Sequence, residues 1–116
     1  MKFERELLKG VAPVVVLEIL SRGAMYGYEL SEAIEQRSGD ILTLGRGTLY
    51  PLLYNLEAKG LVTAEWAESE NKRKRRYYSI TGKGKGQLAR QKEQWINLQQ
   101  AVGTVFGLIG PGAATA

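Results

Sequence analysis

The chain has 116 residues, 44% of them apolar and 24% charged, which bounds one compact domain able to bury a core and leaves no length for a second. It holds no cysteine and no histidine, so a disulfide framework, a thiol nucleophile, Ser–His and Cys–His couples, His-bearing zinc fingers and an imidazole pH switch are excluded, and a cytoplasmic setting is expected. The net charge of +4 is concentrated: Glu70 to Gly86 carries seven cations and one carboxylate, whereas the other ninety-nine residues carry nine cations and eleven acids. An anionic partner is therefore sought at that segment.

The start, Met1-Lys2-Phe3-Glu4-Arg5-Glu6, mixes charge signs and does not read as a signal peptide. Neither Val11–Leu17 nor Ala101–Gly110 has the ~20 apolar residues of a membrane span, so no membrane partner is expected. Pro13 suits the first turn of a helix that runs through Val14–Leu20 to a stop at Ser21-Arg22-Gly23. Phe3, Leu7, Leu8 and Val11 also repeat at helical spacing, so residues 3–10 form either a short separate helix or an extension kinked at Pro13.

Tyr28, Leu30, Ala33, Ile34 and Arg37 define a second helix ended by Gly39-Asp40. Leu49, Leu52, Leu53 and Leu56 form the apolar stripe of a third, with Thr48, Tyr50, Pro51, Tyr54 and Asn55 on or near its other side. Pro51 in a first turn predicts a start at Gly47 or Thr48, since a start at Gly45 would need a kink, and Gly60 closes the helix.

Two β-prone runs follow, Leu61–Trp66 and Arg76–Ile80, bracketing a charged loop. They predict a hairpin whose tip holds Lys72, Arg73, Lys74 and Arg75. Five consecutive cations from Lys72 to Arg76 repel one another unless phosphates or acids neutralise them. Arg76 has a second reading as a strand-paired structural residue.

Thr81 can cap a last helix reaching Leu98 to Val105. Gly82, Gly84 and Gly86 each cost about 1 kcal/mol against alanine there, which predicts a loose first turn. Leu88, Trp95, Val102 and Ile109 with Gln91, Leu98 and Val105 fall in a heptad register, six of the seven apolar, which suggests a dimer seam. Trp95 either fills that seam or faces its copy across a two-fold axis and stacks on a flat aromatic ligand. Pro111 to Ala116 is expected to be a disordered tail.

Three helices followed by a two-stranded hairpin predict a mainly α fold with a small β hairpin, a winged helix-turn-helix. The organisation expected is a DNA-binding domain over 1–81, a C-terminal dimerisation helix over 82–110 and a tail over 111–116. In such a unit the third helix offers its outer face to the major groove and the hairpin tip reaches the flanking backbone. Tyr50 and Tyr54, at i and i+4, read either as partly buried packing or as hydroxyl donors to phosphate.

Four motifs in this order resemble the PadR-type transcriptional regulators: Tyr26-Gly27-Tyr28-Glu29-Leu30, Gly47-Thr48-Leu49-Tyr50-Pro51-Leu52-Leu53, Leu56-Glu57-Ala58-Lys59-Gly60-Leu61-Val62 and Arg76-Tyr77-Tyr78-Ser79-Ile80-Thr81. The resemblance covers residues 12–90. It implies a homodimeric repressor, joined mainly through the C-terminal helix, on an inverted-repeat operator in double-stranded DNA and often released by a small molecule. It places Thr48, Tyr50, Pro51 and Tyr54 on the DNA-facing side of the recognition helix, Tyr28 near the phosphates, and the wing at Asn71–Arg76. Two departures stand out. Family wings usually carry a Gly-Gly-Arg-Pro-Arg-like tip where this chain has Asn71-Lys72-Arg73-Lys74-Arg75, and Arg46 adds a cation where the family more often has a small acidic or neutral residue.

Other functions are weaker. A winged helix docking its basic wing on an acidic protein surface is the main alternative. A metal-dependent nuclease would have a single aspartate, Asp40, and Glu65, Glu68 and Glu70 as its best glutamate cluster, with no histidine or lysine base arranged beside it, so no catalytic residue and no metal site is assigned. Gly82-x-Gly84-x-Gly86 lacks the spacing of a dinucleotide loop and implies no cofactor.

Overall fold

The structure, a computed structural model, describes residues 2–108. The first helix is continuous: α1 runs Arg5–Leu20 with Pro13 inside it, which settles the alternative left open above in favour of one helix. Its buried side, Ala12, Val16, Leu17, Ile19 and Leu20, forms the floor of the core. A two-residue strand, β1 (Met25–Tyr26), leads into α2 (Gly27–Arg37). Helix α2 unwinds where expected: Gly39 and Asp40 both take positive φ, at 70° and 63°, and their N–H groups close on the carbonyls of Gln36 and Glu35.

Helix α3 spans Arg46–Ala58 with Gly45 as its N-terminal cap. That corrects the expected start at Gly47 or Thr48. Pro51 lies in the second turn, where its ring forgoes one backbone hydrogen bond, and the helix begins earlier because the Gly45 carbonyl accepts from Thr48 and Leu49. The other end closes on Gly60 (φ 74°), with Gly60 N–H bonded to the Glu57 carbonyl and Leu61 N–H to that of Leu56. Leu49, Leu53 and Leu56 point into the core, as the stripe predicts.

The hairpin strands are β2 (Val62–Glu68) and β3 (Lys74–Ile80), and β1 pairs with the free edge of β3, making a three-stranded antiparallel sheet in the order β1-β3-β2. The third strand was not anticipated. Neither were the strand limits: Lys74 pairs with Glu68, Arg75 with Ala67 and Arg76 with Trp66, so Lys74 and Arg75 belong to the ladder and only Lys72 and Arg73 to the turn. Ser69 builds that turn, its N–H donating to the Arg73 carbonyl and its hydroxyl to Asn71 Oδ1 at 2.6 Å. Lys72 takes φ 61° where a glycine would be more usual.

Helix α4 (Gly82–Val105) starts at Thr81, whose Oγ1 accepts from Gly84 N–H at 3.0 Å as predicted. The expectation of a loose first turn is corrected. Thr81 also donates its hydroxyl to the Gly60 carbonyl and its N–H to that of Leu61, while Lys83 Nζ reaches the Lys59 carbonyl at 2.8 Å. Gly84 is buried, and a Cβ there would overlap the Leu61 carbonyl oxygen and come within 2.7 Å of Ile80 Cγ1. Glycine is what lets α4 sit directly on the exit of α3. Leu88 lies in the chain's own core, which takes it out of the expected seam, whereas Leu98, Val102 and Val105 are exposed. Ile109, the end of the expected dimerisation segment and the expected tail lie outside the described residues.

Candidate nucleic-acid interface

One cleft of about 550 Å³ opens between α3, the N-terminus of α2 and the wing. Four cations line it, Arg46, Lys74, Arg75 and Arg76, and no carboxylate does. The early start of α3 places Arg46 in its first turn, beside N–H groups that no side chain caps. A helix start with a cation attached favours an anion on two counts.

The tyrosines of the cleft divide by packing. Tyr54 (55% exposed) and Tyr28 (63% exposed) stand out at the surface, Tyr28 beside Glu32. Tyr50 is half-buried and packed on the core, its hydroxyl so close under Gly27 that a Cβ there would overlap it. Its ring lies 6.4 Å from that of Tyr54. Thus the packing reading holds for Tyr50, and Tyr54 keeps the outward role. Hydrogen bonding to the Glu32 carboxylate and its charge push the Tyr28 phenol up, so it stays a neutral O–H group. Thr48 is half-buried and Pro51 exposed.

The wing cations divide likewise. Lys72, Arg73 and Lys74 are exposed. The Arg75 guanidinium stacks 5.2 Å from the centre of the Tyr26 ring, which is itself braced edge-on by Tyr77 at 5.4 Å. Its Nε is shut off from solvent and has no hydrogen-bond partner among the described residues. Arg76 is structural in the sense foreseen: it donates to Glu57 Oε2 at 2.8 Å and lies 3.4 Å from the Tyr78 hydroxyl, tying β3 to α3. Burial pushes the Tyr78 phenol up. An ion pair and a buried ring thus join β3 to α3, beside the core contacts of Leu56, Leu61 and Val62.

Two residues of the cleft have no role assigned from the sequence. Tyr26 opens the motif that runs to Leu30 but sits in a strand too short to leave a pattern, and Trp66 ends a β-prone run in which nothing marks the indole as 69% exposed. Elsewhere among the described residues, no helix is long and apolar enough to cross a membrane and no group of three potential ligands could hold a metal ion.

Helices α2 and α3 joined by a short link, with a three-stranded wing beside them, define a winged helix-turn-helix protein. The sequence model of the transcriptional regulator PadR-like family matches residues 16–90, and the chain belongs to that family. It is similar to the solved structure of a transcriptional regulator from Clostridium thermocellum, with a TM-score of 0.78 and 26% identity, covering 85% of this chain and 96% of that one. A PadR-like transcriptional regulator from Bacillus cereus is similar with a TM-score of 0.75 and 33% identity, covering 87% and 96%. In sequence the chain is 35% identical over 93 residues to transcriptional regulator YqjI of Escherichia coli K12, matching 80% of this chain but only 43% of that protein, so it spans less than half of that relative.

Proposed function

We propose that the chain works as a cytoplasmic homodimer that binds an inverted-repeat operator in double-stranded DNA and represses transcription until a small flat aromatic molecule releases it. The observation that carries this reading is the cleft between α3 and the wing, lined by cations and free of carboxylates. In it Arg46, Thr48, Pro51 and Tyr54, the last held beside the packed ring of Tyr50, enter or flank the major groove, Tyr28 meets a phosphate, and Lys72, Arg73, Lys74 and Arg75 hold the neighbouring backbone. Such contacts position the protein more than they read sequence.

Dimerisation is supported by α4, whose outer half leaves Leu98, Val102 and Val105 exposed in one register beyond the last core residue, Leu88. Release by an effector is supported by a second cavity, about 350 Å³ between α1, α2 and α4, with Val15, Ile19, Ile34, Leu42, Trp95 and Ile96 in its walls. Its apolar lining suits a flat hydrophobic molecule, and Trp95 offers a ring to stack on.

Selection from a random duplex library at about 0.15 M salt, followed by footprinting, tests the proposal, because non-specific binding is weak there. The expected product is an inverted repeat with half-site centres about 34 Å apart. No enrichment of any site would contradict it. For the effector, planar aromatic compounds titrated into the operator complex should release the duplex.

A further inference from the structure

We propose that Trp66 is a DNA-contact residue, its indole packing on the sugar-phosphate strand that lies between the major groove entered by α3 and the minor groove reached by the wing tip. The proposal rests on the reading of the cleft as a DNA site. Strand β2 alternates faces, so Val62, Ala64 and Trp66 form one row. Val62 is buried, Ala64 packs on the core, and Trp66 is the first of the row to pass beyond it, into the cleft. The row is set by register, opposite Ile80, Tyr78 and Arg76.

The indole is 69% exposed, and it stands inside the cation-lined cleft beside Tyr26, Tyr28 and Tyr54 rather than singly on an open face. Its cross-strand neighbour Arg76 is turned away to Glu57 and Tyr78. The two cation–ring contacts among the described residues go to Tyr26 and Tyr78, which leaves the indole faces free. What would cover it must satisfy an apolar ring, one N–H donor and the surrounding cations at once. A sugar-phosphate strand does so: the deoxyribose edge takes the ring and a phosphate oxygen takes the N–H.

Position supports the same partner. Trp66 lies three residues, about 10 Å along the strand, from Ser69 at the start of the turn that carries Lys72 and Arg73, and on its other side it faces the cleft wall formed by α3. With α3 in one groove and the turn in the next, the residue between them meets the backbone that separates the grooves.

Protein carrying 5-fluorotryptophan, whose two resonances are assigned with Trp66→Phe, is titrated with the selected operator and with an unrelated duplex. The Trp66 resonance is expected to shift or broaden with both. Trp66→Ala should weaken both complexes by about tenfold, and Trp66→Phe, which keeps a ring but loses the N–H, should weaken them less. Circular dichroism of the variants should match the wild type, as the side chain stands outside the core. A salt-dependent wild-type complex in which the Trp66 resonance does not move and Trp66→Ala binds as well overturns the proposal while leaving the DNA reading in place. Failure of the wild type to bind any duplex overturns both.

Discussion

The two halves of α4 obey opposite rules. Its first turns carry three glycines and are the best anchored part of the helix, held through Thr81, Lys83 and the close approach of Gly84 to Leu61. Its outer half carries one glycine, Gly103, and an apolar row, yet past Leu88 that row faces solvent. The comparison teaches that helix propensity says little about which part of a helix is held. A glycine is stabilising where backbone must touch backbone, and an apolar residue is an unfilled contact where nothing packs on it.

The sharpest way to break this contrast is at the glycines. Gly84→Val should cost about 3 kcal/mol or more, because its side chain must displace the Leu61 carbonyl and the start of α4 with it. Gly82, with open space where a Cβ would go, should respond in the opposite sense: Gly82→Ala is expected to raise stability by about 0.5–1 kcal/mol. Urea unfolding of the two variants gives the comparison directly, and two variants of equal stability would dissolve it.

In the outer half, Val102→Asp with Val105→Asp should leave the fold intact and shift sedimentation from dimer to monomer, since both side chains are exposed in the single chain. Loss of folding instead would place those residues in the chain's own core. The smallest effect concerns the middle of the helix, where Lys92 pairs with Glu18 of α1. The hydrogen bond from Lys92 holds the Glu18 carboxyl below its ordinary value of 4.5, so the unfolded chain binds the proton more readily. The pair's contribution is present above that value and is lost as pH falls through the lower folded one. With both partners partly exposed, Lys92→Ala should cost about 0.5 kcal/mol near neutral pH and progressively less as the pH is lowered below the ordinary carboxylate range, read from the unfolding midpoints across that series.

Much of the fold was legible because periodicity reports burial. The leucine stripe of α3, the break at Gly39-Asp40, the Gly60 closure and the Thr81 cap all follow from local rules. What escaped depends on contacts distant in sequence. Two residues at Met25–Tyr26 are too few for a pattern and become a strand only because β3 offers an edge. Pro51 points to a later start for α3, but Gly45 begins the helix and Pro51 is carried in its second turn. In the site, charge density located the wing, but only the strand register separates Lys72 and Arg73 in the turn from Lys74 and Arg75 on the ladder. Tyr50 and Tyr54 have the same spacing and chemistry, and it is Gly27 of another helix that packs one and leaves the other free.

The central claim is that the cleft and wing neutralise phosphates. The most direct measurement is the slope of log affinity against log salt for one operator duplex, with the wild type and with Arg73→Ala plus Arg75→Ala. The account predicts that the double variant binds more weakly and that its slope is shallower by about two, close to one released counterion for each arginine. An unchanged slope and affinity would contradict it, leaving the wing's charge to serve a different partner.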